Sequence, residues 1–276
     1  MNMPTLDFSE VINAVANLES VKAYLDEILV IDCHAHIGPH SRYFVPEDDI
    51  DHIITAMDSI GVDQVGINVL EALEGDFEAG NNMTAEALRK YPDRIIGHCC
   101  INPNYPEAVA AETIRCFEQL GMRMLKFHGG WHRIEPGHPN YRPAVEYCAA
   151  RRIPLITHLP DYIKSLPGYV ALARDYPDMP FIIAHSTCPT AIDDIIEHCA
   201  HVENMFFDTT GYPKYYASVE RIVNGCGEDR VLFGSDIAWL NLAHEIGAII
   251  FADISDTAKT KVLGLNFQTI MQRVKL

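Results

Sequence analysis

The stretch Arg94-Ile95-Ile96-Gly97-His98-Cys99-Cys100-Ile101 decides what kind of sheet this chain builds. A strand with one wet face alternates apolar and polar residues. A run that is apolar at both parities belongs to a strand covered on both faces, as in parallel sheets whose crossovers are helices. Comparable runs fall near residues 29–34, 63–69, 123–128, 153–158, 180–185, 204–208 and 230–235. Between them lie stretches of helical periodicity near 47–60, 81–90, 106–120, 140–151, 165–176, 189–200, 215–225 and 241–250. Eight strand–helix pairs in succession predict a (β/α)8 TIM barrel. An open doubly wound sheet is the structural alternative, but it has fewer strands and a glycine-rich first turn, and no Gly-x-Gly-x-x-Gly occurs.

The joints carry matching punctuation. Gly61 and Gly121 stand where a helix should end and a strand begin. Tyr91-Pro92-Asp93 and Tyr176-Pro177-Asp178 read as helix-to-strand turns in which proline forbids continuation. Pro106 and Pro189 suit the first turn of a helix. Ahead of the first strand, Val11, Ile12, Val15, Leu18, Val21 and Leu25 recur at helical spacing and predict an additional N-terminal helix within residues 1–28. With no linker or low-complexity segment, one domain over 1–276 is expected.

Lys and Arg number 21 against 38 Asp and Glu, a formal charge of -17. So acidic a surface repels phosphate backbones and anionic lipid heads, so nucleic acid and membrane are not expected partners. Met1 to Glu10 is acidic and lacks the basic and hydrophobic regions of a signal peptide, and no apolar run is long enough to span a bilayer. A cytoplasmic location is expected. The eight cysteines form no Cys-x-x-Cys pair, and they read as buried, reduced thiols.

In a barrel the chemistry sits at the C-terminal ends of the strands. Strand one, Val30-Ile31-Asp32-Cys33-His34-Ala35-His36-Ile37-Gly38, ends in two histidines that alternation puts on one face. Strand four ends in Lys126 and His128, strand five in His158, strand six in His185 and strand eight in Asp236. Burying that many titratable groups costs several kcal/mol unless a cation or a network compensates them. Asp32 reads either as a partner that orients a histidine or as a paired buried carboxylate. The loop Gly129-Gly130-Trp131-His132-Arg133 after strand four offers Trp131 and Arg133 as contacts to a planar or anionic substrate, or is a solvated loop with one packed tryptophan.

His34-x-His36, His158, His185 and the Phe233-Gly234-Ser235-Asp236 ending resemble the amidohydrolase superfamily of metal-dependent barrels. Gly121-x-x-x-Leu125-Lys126-x-His128 and Val262-Leu263-Gly264-Leu265-Asn266 are similar to its "amidohydrolase 2" branch, which holds hydrolases, lactonases, hydratases and decarboxylases. The resemblance implies His34, His36, His158 and Asp236 as ligands of one divalent ion, Zn²⁺ first, with His185 facing the water. It implies two roles for Lys126: carbamylated between two metals, or holding a substrate carboxylate beside one. His128, Trp131 and Arg133 complete the expected substrate contacts.

Neutral imidazoles with one carboxylate suit zinc and similar ions, and water on such an ion ionises near neutral pH. The leading expectation is therefore a zinc-dependent hydrolase of a small carboxylated or cyclic substrate, with Asp236 and His185 catalytic. The alternative is a nonoxidative decarboxylase on the same scaffold, and a binding protein with a structural metal is a third reading. A small molecule is the expected partner, with a homodimer open as the assembly.

Overall fold

Eight parallel strands follow one another around a single sheet in chain order. They are β1 (Ile31–Ile37), β2 (Gln64–Val69), β3 (Ile95–Cys100), β4 (Met124–Phe127), β5 (Leu155–Thr157), β6 (Phe181–Ile183), β7 (Met205–Asp208) and β8 (Val231–Leu232). This computed structural model describes residues 18–39, 44–159, 163–211 and 214–276. Each strand pairs in parallel with the next, and backbone bonds from Cys33 to Phe233 (2.9 Å) and from Asp236 to His34 (2.8 Å) bring the last strand back to the first. The outcome is the expected (β/α)8 barrel.

The runs that are apolar at both parities serve two cores. Ile31, Cys33, Ile96, Met124, Ile156, Ile182 and Leu232 fill the inside of the barrel, while Ile67, Cys99, Leu125, Phe127 and Leu155 pack outward against the helices. The predicted helices appear at Ile50–Ile60, Phe77–Lys90, Pro106–Glu118, Arg142–Arg151, Leu166–Asp175, Ile192–Cys199, Ser218–Cys226 and Leu242–Ile250. Gly61 ends the first of these in the left-handed conformation at φ 90°, with its N–H bonded back to Met57. Pro106 opens its helix as expected, whereas Pro189 stands in the turn before Ile192–Cys199. All eight cysteines are free and buried. Of the predicted N-terminal helix, Leu18–Leu25 is helical, and the call on residues 1–17 lies outside the described residues. Among the described residues no helix is long and apolar enough to cross a membrane.

The chain after β8 has a structural role that periodicity did not reveal. A π-turn at Lys261–Leu265 leads into the helix Asn266–Gln272, whose Phe267 and Ile270 enter the apolar cluster inside the barrel. The strand bottoms are thereby closed. At Gly264 a side chain would begin 2.1 Å from the carbonyl oxygen of Leu29, so only glycine allows the turn to approach β1 this closely. With the bottom plugged, polar side chains collect at the opposite, C-terminal mouth.

Phe267 is fully buried in this plug. Phe267→Ala should lower the unfolding free energy by roughly 3–5 kcal/mol in urea titrations. A change within about 0.5 kcal/mol, the usual scatter of surface substitutions, would contradict the plug.

Candidate metal centre and active site

β1 delivers its two histidines through an irregularity. Its pairing with β2 shifts register between Asp32 and Ala35. Ile31 and Cys33 face the interior cluster, so Asp32 between them turns away; the shift then returns His34 to the mouth, where it shares Asp236 with His36. Asp32 Oδ1 accepts from the backbone N–H groups of His34 and Ser235, both at 3.0 Å, and its Oδ2 accepts from the Ser235 hydroxyl. It staples β1 to the end of β8, and burial pushes its carboxyl up to about 7.

The tightest group is His34, His185 and Asp236, whose ligand atoms all lie within 4.8 Å of one another. His34 Nε2 stands 3.7 Å and His36 Nε2 3.2 Å from Asp236 Oδ1. His185 and Asp236 both hold left-handed backbones, at φ 62° and 61°. For non-glycine residues this conformation costs about 1–3 kcal/mol and recurs where a side chain must be aimed. His185, expected opposite the water, is inside the tight group. His158, expected as a ligand, lies outside it and meets His185 edge-on at 4.4 Å between ring centroids.

The protonation states suit a cation. Burial holds His34 far below the usual histidine range, aided by the Lys126 charge and the neighbouring imidazoles, and burial takes His185 down to about 4. His36, His128 and His158 are lowered by burial as well. Burial alone would raise Asp236, but the His36 hydrogen bond and the charges of His185, His36 and Lys126 prevail and hold it at about 2. Neutral imidazoles with free lone pairs therefore surround an ionised carboxylate. His185 Nε2 is buried without a hydrogen-bond partner among the described residues, a costly state that coordination would relieve. These donors fit a divalent ion.

The substrate-binding candidates divide. Lys126 is fully buried, with Nζ 2.8 Å from His34 Nε2. Trp131 stacks on His128 at 4.3 Å and His128 on His158 at 4.2 Å, with planes 19° and 12° apart. Together the three rings form a face-to-face column whose His158 end meets His185 edge-on. Arg133 instead ends the short helix Gly129–His132 in the left-handed conformation, exposed to solvent.

Asp208 was missed. It ends β7 in Met205-Phe206-Phe207-Asp208, the same strand-end position that identified the others. Its Oδ2 lies 2.8 Å from His34 Nδ1, and its Oδ1 accepts from the backbone N–H groups of His185 (2.7 Å) and Thr210 (3.1 Å). Burial raises it to about 8, against the hydrogen bonds from those backbone groups.

A sequence model of the family described as "Amidohydrolase" matches residues 31–266. No curated protein matches the chain. Among solved structures, it resembles 2,6-dihydroxybenzoate decarboxylase from Rhizobium (17% identity, TM-score 0.71, covering 89% of this chain and 99% of that one). It also resembles a dihydroxybenzoic acid decarboxylase from a Polaromonas species with bound manganese and the inhibitor 2-nitroresorcinol (20%, 0.70, 89% and 97%). A third is 5-carboxyvanillate decarboxylase from Sphingomonas paucimobilis (16%, 0.66, 89% and 99%). At such identities the likeness establishes the fold. It also corrects the expectation of hydrolysis, because the neighbours are decarboxylases of aromatic acids and match the alternative reading. The strand-end motif specifies a metal site and leaves open which bond that site breaks.

Purified protein should take up about one divalent ion per chain, measured by elemental analysis and calorimetric titration. His185→Ala should weaken that binding more than His158→Ala. The reverse order would put His158 back among the ligands.

Proposed function

The chain belongs to the amidohydrolase family, and from that membership we propose that it is a metal-dependent, nonoxidative decarboxylase of small hydroxylated aromatic carboxylic acids. The observation that carries this reading is the column of Trp131, His128 and His158 rings beside the His34–His185–Asp236 group. The edges of such a column offer edge-to-face contacts to a planar aromatic acid. A flexible amide or lactone gains less from them.

Within this reading His34, His36, His185 and Asp236 hold one divalent ion, which supplies positive charge to polarise the substrate's oxygen substituents. Zinc is the first choice, and manganese, bound in the Polaromonas structure, is accepted by the same donors. The Lys126 ammonium, buried beside His34, holds the carboxylate by a charge-assisted hydrogen bond. The ring column flanks the substrate and excludes water on that side. Asp236, ionised beside His36 at the mouth, relays the proton of the phenolic hydroxyl. That proton goes to the ring carbon bearing the carboxylate. The bond to the carboxyl carbon breaks, carbon dioxide leaves, and no water is consumed.

Metal-loaded protein mixed with dihydroxybenzoates should release carbon dioxide and the matching phenol in equal amounts. Turnover of lactones or amides with no carbon dioxide from any aromatic acid would contradict the reading. Lys126→Met should raise KM for the acid by roughly 10–100-fold, matching the 1.5–3 kcal/mol of a hydrogen bond to a charged group. An unchanged KM would remove Lys126 from the carboxylate.

A further inference from the structure

We propose that Asp208 is the positioning residue of the ligand group: one oxygen fixes which nitrogen of His34 carries the proton, and the other holds the backbone of His185. The inference rests on His34 and His185 being ligands, as proposed above.

A neutral imidazole has one N–H and one lone pair. The Nε2 of His34 faces the Asp236 and His185 ligand atoms. With Nε2 given to the ion, the neutral ring carries its proton on Nδ1. On the Nδ1 side stands Asp208 Oδ2 at 2.8 Å, placed to accept that proton. This is the arrangement in which a carboxylate behind a ligating histidine orients the ring and raises its basicity.

The second oxygen is committed elsewhere. Oδ1 accepts from His185 N–H at 2.7 Å and from Thr210 N–H at 3.1 Å. His185 needs that anchor, because its backbone lies in the left-handed region. Asp208 thus joins two candidate ligands that stand on β1 and after β6. Gly234 packs beside the pair of Asp208 and His34, where a side chain would begin 2.6 Å from Thr210 Oγ1 and 3.1 Å from Asp208 Oδ2 and His34 Cβ.

This division of labour makes Asp208→Asn a sharp test. Two backbone N–H donors hold the amide oxygen at the Oδ1 position, so the amide nitrogen must take the Oδ2 position. It would donate to His34 Nδ1, and the imidazole would then carry its proton on Nε2, where the lone pair is needed. Size and backbone anchoring are retained, so folding should survive. Nitrogen-15 NMR of histidine-labelled, Zn²⁺-loaded wild-type protein should show His34 protonated on Nδ1; protonation on Nε2 there would overturn the proposal without any variant. In Asp208→Asn the His34 signal should switch to the Nε2–H form, and affinity for Zn²⁺ or Mn²⁺ should fall about 10–100-fold at an unchanged Tm. Unchanged tautomer and affinity would overturn it, and so would loss of affinity caused only by unfolding. If wild-type protein bound neither ion while His34 was protonated on Nδ1, the metal reading would fail and the tautomer assignment would stand.

Discussion

The structure depends on one constraint: a cluster of imidazoles and carboxylates buried at one end of a barrel, where water cannot solvate them. His34, Asp208 and Lys126 have no exposed surface, and His36, His128, His185 and Asp236 have 7% or less. Isolated charges in such surroundings are strongly disfavoured, so the groups either shed their protons or pair. The imidazoles become neutral, Asp236 stays ionised against its neighbours, and His185 Nε2 is left without a partner. A cation placed among them would relieve the whole set. Stability here is surrendered to function, and the apolar interior plugged by Phe267 and Ile270 offsets it from below.

The barrel was legible because its strands are apolar on both faces and its helices are punctuated by Gly61, Pro92, Pro106 and Pro177. Those signals are local. The closure of the strand bottoms was not legible, since the π-turn at Lys261–Leu265 has no periodic signature and Gly264 is explained only by the carbonyl of Leu29 beneath it. The turn of helix at Leu70–Glu74 was missed for a similar reason, being too short to show a period.

At the site, the strand-end rule found His34, His36, Lys126, His128, His158, His185 and Asp236, and the structure gathers them at one mouth. The rule should have found Asp208 too, because Asp208 also ends a strand. It was lost because an aspartate at a strand end usually begins a turn, and its partners come from β1 and from beyond β6. The sequence left two roles open for Asp32, and the register shift between Asp32 and Ala35, invisible to strict alternation, turns it to the backbone of His34 and to Ser235. The reaction was misjudged for a chemical reason. A metal site that activates water and one that binds an aromatic acid use the same histidines and carboxylate.

The measurement closest to the central claim is an anomalous-diffraction map of crystals grown with Mn²⁺ and a non-reactive nitro analogue of a dihydroxybenzoate. The account predicts one anomalous peak per chain, within bonding distance of His34, His36, His185 and Asp236, with the aromatic ring beside the column of Trp131, His128 and His158. A peak outside that group, a second peak bridged through Lys126, or an analogue seated away from the column would contradict it.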